Sequence, residues 1–99
     1  MDPLVIAPTG SSPAVNFDPA THTLTLSGES YPENALAFFR PLLAWMSAFL
    51  ERDTGPVVLE LRLTYMNTSS IKSLMDLLDD LEEAHQGGRS VTVNWYYDE

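Results

Sequence analysis

The 99-residue chain has no cysteine and only two histidines, His22 and His85. Neither a disulfide frame nor a Cys/His zinc site can be assembled from that set, and no metal or cofactor is expected. Basic residues are scarce: 5 Lys and Arg stand against 14 Asp and Glu, a formal net charge of −9. That balance repels a phosphate backbone or an anionic lipid surface and argues against nucleic acid and membrane as partners. Long apolar runs are also missing. The longest, Leu42 to Leu50, is bracketed by Arg40 and Glu51 and falls well short of the roughly 20 residues a bilayer requires. The opening Met1-Asp2-Pro3-Leu4 has no basic n-region, and Leu4-Val5-Ile6 is interrupted by Pro8 and Gly10, so no export signal is read and a cytoplasmic location is expected.

The length suits one compact domain. Residues 1–13 hold three of the seven prolines with Gly10, Ser11 and Ser12, and read as an extended N-terminal arm anchored through Leu4 and Ile6. The folded domain follows over 14–99. Val15 and Phe17, a turn at Asp18-Pro19-Ala20-Thr21, and Leu24 and Leu26 alternating with polar residues predict a β-hairpin. Ser30-Tyr31-Pro32-Glu33 fits a capping box with Ser30 as N-cap, opening a helix to about Arg52. Its large apolar side chains span an arc of roughly 180°, wider than the stripe of about 100° that faces a core, which leaves Phe38 and Trp45 at one margin as a candidate partner surface. Pro41 inside the helix predicts a kink or break near Ala37 to Arg40.

Val57, Leu59, Leu61, Leu63 and Tyr65 alternate with Val58, Glu60, Arg62 and Thr64 in the clearest strand pattern of the chain. A second helix over about Thr68 to His85 carries Ile71, Leu74, Met75, Leu77, Leu78 and Leu81 on one face and Lys72, Asp76, Asp79, Asp80 and Glu83 on the other, and Gly87-Gly88 stops it. Val91, Val93, Trp95 and Tyr97 alternate in a last strand. The order ββαβαβ predicts a small two-layer α/β domain with a four-stranded mixed sheet and helices mainly on one face.

Acyl or phosphoryl transfer needs a nucleophile, a base and an orienting group that converge, and the sequence offers no such set. His22 falls in a hairpin turn and His85 at a helix C-terminus, where an imidazolium complements the dipole. Gly87-Gly88 follows a helix rather than a strand and is not a phosphate loop. The Asp76, Asp79, Asp80 and Glu83 cluster lacks EF-hand spacing and reads as a solvated face. The unusual segment is Asn67-Thr68-Ser69-Ser70, which places three hydroxyls at a helix N-terminus. Capping explains such residues by itself. A phosphorylation site explains them as well, since a phosphate there gains the helix dipole and has Lys72 four residues on.

Gly28-Glu29-Ser30-Tyr31-Pro32-Glu33-Asn34, Tyr65-Met66-Asn67-Thr68-Ser69-Ser70 with Lys72, and Trp95-Tyr96-Tyr97-Asp98, in this order, resemble the SiaC family of bacterial regulatory phosphoproteins. Ile6-Ala7-Pro8-Thr9 and Ser12-Pro13-Ala14-Val15-Asn16-Phe17 resemble the family's opening. The resemblance implies a STAS-like fold and reversible phosphorylation on Thr68. It implies three partners: a serine/threonine kinase related to histidine-kinase ATPases, a PP2C-type phosphatase, and a diguanylate cyclase. The unphosphorylated form would bind and activate the cyclase, raising cyclic di-GMP and promoting aggregation or biofilm. Family members continue past the Trp-Tyr-Tyr-Asp segment, whereas this sequence stops at Glu99, as either a shortened piece or a short member. The expectation is therefore a non-catalytic, phosphorylation-controlled binding module: Thr68 is the switch, Asn67, Ser69, Ser70 and Lys72 frame it, and Phe38, Trp45, Asp76 and Asp79 form the partner surface. An anti-sigma-factor antagonist shares this fold and switch and differs in partner, and a small hydrolase using Thr68 or Ser69 is the enzymatic alternative.

Overall fold

Alternation of buried and exposed residues along the strands decides which way the sheet faces. The computed structural model describes residues 1–96, in the order β1 (Leu4–Ile6), β2 (Ala14–Asp18), β3 (Thr23–Ser30), α1 (Ala35–Arg52), β4 (Val57–Met66), α2 (Thr68–Gln86) and β5 (Val91–Trp95). The sheet has five strands rather than the expected four, in spatial order β1-β2-β3-β4-β5. The extra one lies in the N-terminal arm. Leu4 to Ile6 pair antiparallel with β2, Leu4 opposite Phe17 and Ile6 opposite Val15, and Leu4 and Ile6 pack against the core. Three residues are too few to show strand periodicity, so only the pairing reveals them. Tyr97, the proposed end of the last alternation, lies outside the described residues.

β2 and β3 form the antiparallel hairpin, while β3, β4 and β5 run parallel, joined by α1 and α2. Phe39, Leu42, Met46 and Phe49 of α1 and Leu74, Leu77 and Leu81 of α2 are buried with Val15, Phe17, Leu24, Leu26, Leu59 and Leu61 of the sheet. α1 and α2 also pack on each other, which puts both on one face. Because both helices run antiparallel to the strands they connect, their N-termini meet at the end of the sheet where β3 and β4 finish.

Two local expectations are corrected. Ser30 is not the N-cap of α1: it is the buried last residue of β3, and Asn34 caps the helix, its side chain accepting from Ala37 N at 3.1 Å. Nor does Pro41 break α1, which is continuous through it. Pro41 and Ala37, whose carbonyl loses its donor, are both on the exposed side, where water can serve that carbonyl.

A third departure concerns β4. Gly28 pairs with Leu63 but Glu29 pairs with Tyr65, so Thr64 is left without a partner on β3. Gly28 stands at φ +103°, a region that favours glycine. Beyond the bulge the inward phase of β4 moves from odd to even numbers: Met66 packs on the core and Tyr65, expected inward, is 54% exposed.

Candidate functional site

The bulge delivers β4 into Asn67, which caps α2. Its side-chain oxygen accepts from Ser70 N at 2.9 Å and its backbone oxygen from Ile71 N at 3.0 Å, while its own N–H donates to Ser30 O at 3.0 Å. The capping role therefore belongs to Asn67, and the three hydroxyls that follow divide by exposure. Thr68 and Ser69 are exposed, whereas Ser70 is fully buried, its Oγ accepting from the Ser30 hydroxyl at 2.8 Å. Among the described residues, the N–H groups of Thr68 and Ser69 have no hydrogen-bond acceptor. An open hydroxyl thus stands beside two unused donors at the positive end of a 19-residue helix, with no acidic residue in its first turn.

Next to this start, the N-terminus of α1 and the first turns of α2 enclose a shallow groove of about 320 Å3, lined by Glu33, Asn34, Ala35 and Leu36 from one side and Ser69, Lys72, Ser73 and Asp76 from the other. Lys72 is exposed one helical turn from Thr68, and Asp76 is exposed one turn further. Asp79 is also exposed but does not line the groove. Asp80, half-buried, has its carboxyl raised above the ordinary range, first by burial and then by Glu83, Asp76 and Asp79. Among the described residues no three His, Asp or Glu side chains converge to hold a metal ion.

The structure does not bring Phe38 and Trp45 to this groove. Phe38 is half-buried, edge-on to Phe39 at 5.3 Å, and Trp45 stacks on Phe49 at 5.1 Å, tilts against Phe17 and donates its indole N–H to Asp2 O at 2.9 Å. On α1 the large apolar side chain turned outward beside the site is Leu36, 59% exposed. Tyr31 is a further contributor that sequence reasoning did not single out. Its ring meets Tyr65 edge-on at 5.7 Å, its N–H donates to Ser11 O at 2.7 Å, and its hydroxyl donates to Gly10 O at 2.7 Å. It ties the N-terminal arm to the end of β4. No local signal marks it, because all its partners are distant in sequence.

The fold and site together define a small α/β domain with an exposed hydroxyl and a mixed-charge groove at one end of its sheet. Residues 6–99 match the model of the SiaC family regulatory phosphoproteins. An uncharacterised protein of Pseudomonas aeruginosa strain UCBPP-PA14 is 49% identical over 98 residues, which cover 99% of this chain and 78% of that protein. Apo-SiaC from Pseudomonas aeruginosa superimposes with a TM-score of 0.97 at 49% identity, over 99% of this chain and 81% of the other. The SiaC chain in the crystal structure of diguanylate cyclase SiaD with its activator SiaC, from the same organism, gives a TM-score of 0.94 at 49% identity, over 97% and 79%. The chain belongs to the SiaC family of regulatory phosphoproteins. No helix among the described residues is long and apolar enough to cross a membrane.

Proposed function

We propose that this chain binds and activates a diguanylate cyclase when unphosphorylated, raising cyclic di-GMP and promoting aggregation or biofilm, and that phosphate on Thr68 switches the activation off. The likeness to the SiaC of the cyclase complex carries the first part. The exposed Thr68 hydroxyl carries the second: it stands at a helix start whose Thr68 and Ser69 amides have no acceptor among the described residues, with Ser70 withdrawn into the core. A phosphate would add about −1.5 to −2 charges where the helix dipole tolerates them, so the fold survives and the effect falls on binding. A partner surface shaped for a neutral hydroxyl must then desolvate a phosphate, with Lys72 near it and Asp76 opposing it. A kinase of the histidine-kinase-ATPase type and a PP2C-type phosphatase set the phosphorylation state, in the cytoplasm. In this reading the chain performs no catalysis, and its helix-backed sheet with a modified helix start is STAS-like.

Titration of the cyclase with wild type, the Thr68 phosphoprotein, Thr68→Asp and Thr68→Ala tests the switch. Thr68→Ala should bind like wild type, the phosphoprotein at least tenfold more weakly, on the order of 1.4 kcal/mol or more, and Thr68→Asp in between. Equal affinity for wild type and phosphoprotein removes Thr68 as the switch.

A further inference from the structure

Two serine hydroxyls lie in the core directly beneath the candidate site. Ser30 ends β3 and Ser70 is the third residue of α2; each has 0% exposure, and they bond to one another at 2.8 Å across 40 residues of sequence. The end of β3 is bonded a second time to the same region, through Ser30 O and Asn67 N. Two alanines would occupy nearly the same volume without desolvating any hydroxyl, so packing alone gives no reason for a polar pair here. A hydrogen bond differs from a methyl contact in being directional. It fixes both the rotation of the first turn of α2 and its position along the helix axis relative to the sheet. Thr68 sits two residues before Ser70, on that same turn.

We infer that Ser30 and Ser70 are positioning residues of the switch, holding the first turn of α2 in the one setting in which Thr68 and the neighbouring groove meet a partner. This rests on the reading of Thr68 as the modified residue and of a diguanylate cyclase as the partner. The pair also keeps the Ser70 hydroxyl from a modifying enzyme, leaving Thr68 and Ser69 as the accessible hydroxyls of the turn.

The test compares wild type, Ser30→Ala, Ser70→Ala and the double variant by melting, by amide hydrogen exchange at Ser70 and Ile71, and by affinity for the SiaD cyclase. Each single change strands a buried hydroxyl and should lower Tm by about 5 °C, while the double change removes both hydroxyls and should return Tm to within about 2 °C of wild type. In the double variant, exchange at the two amides should nevertheless be about tenfold faster than in wild type, and cyclase affinity about threefold to tenfold weaker. Recovery of wild-type exchange, or faster exchange with wild-type affinity, overturns the inference. If wild type itself does not bind the cyclase, the proposed function fails, and the exchange rates alone decide the positioning role. Should the double variant fold poorly, Ser70→Cys keeps a weak acceptor for the Ser30 hydroxyl at a small increase in volume and must give an intermediate exchange rate; a wild-type rate overturns the inference.

Discussion

Where α1 and α2 finish, Arg89 and Asp53 together gather three stretches of chain; where they begin, a few hydrogen bonds leave the surface open. At the first end, Arg89 is 9% exposed and donates from Nε to Gly55 O at 2.7 Å, from Nη1 to Leu50 O at 3.1 Å and to Asp53 O, and from Nη2 to Asp53 Oδ1 at 3.4 Å. Asp53 Oδ2 lies 3.1 Å from His22 Nε2, which adds the β2–β3 turn to the cluster. The approach is so close that a side chain at Gly55 would place its Cβ 2.8 Å from His22 Nδ1. At the opposite end the ties to α2 are the Ser30–Ser70 bond and the bonds of Asn67, Tyr31 holds the N-terminal arm, and around them Thr68, Ser69, Lys72 and Leu36 are exposed. The closed end holds both crossovers to the sheet, so a substitution at the open end leaves the frame of the fold in place. Local stability of this uneven kind is what a regulated surface requires.

The largest effect should come from removing the clasp. Arg89→Ala leaves three buried or half-buried carbonyls without their donor and Asp53 without its guanidinium, and should cost about 3 kcal/mol, or roughly 10 to 20 °C in Tm by calorimetry. A loss below about 1 kcal/mol would erase the distinction between the two ends. Asn67→Ala strikes the open end at its best-bonded residue and should cost about 1 kcal/mol through the lost cap, with faster amide exchange confined to the first turn of α2. Global unfolding at that cost would mean that the open end is as integral as the clasp.

Asp80 offers a smaller and oppositely signed test. Its folded carboxyl holds the proton more tightly than an unfolded one, so it favours folding at low pH and that contribution is lost as pH rises through the raised value. Asp80→Asn should therefore stabilise the protein at neutral pH by a few tenths of a kcal/mol, a gain that disappears in acid where the Asp80 carboxyl is already protonated, as paired melting curves would show. The smallest effect is expected for Thr68→Ala, which touches no cap bond: its melt should lie within about 0.5 kcal/mol of wild type, because Asn67 and not Thr68 satisfies the helix start.

What the sequence made legible follows from where each signal is stored. Val57 to Leu63 and the 74, 77 and 81 face of α2 declare themselves by period, since each repeats one contact many times. Thr68 was legible as the first residue of a helix, and its exposure agrees with a reachable hydroxyl. The family motif around Ser30 was legible too, but its capping pattern pointed to the wrong residue, because Asn34 lies nearer the apolar run that starts the helix. β1, the Tyr31 contacts and the Arg89 clasp were hidden for a common reason: each depends on one pairing between residues far apart, which leaves no periodic trace. The wide apolar arc of α1 was real, yet the sequence had no means of telling that Asp2 would cover the indole of Trp45.

The unpaired Thr64 gives the candidate site a dependence on counting. Upstream of it, odd-numbered residues of β4 point to the helices; downstream, even-numbered ones do, and that offset turns Tyr65 out toward Tyr31 and Met66 in. The residue thus acts as a phase shift in a two-beat rhythm. Deleting it would close the bulge and keep the facings, Tyr65 opposite Glu29 and turned out, Met66 opposite Ser30 and turned in; a deletion in the regular stretch from Val57 to Leu63 is what would set the inner and outer sets against each other. A single-codon deletion upstream in β4 is consequently a far graver change than one at 64, and the count of residues along β4 is as much a part of the site as the residues that line it.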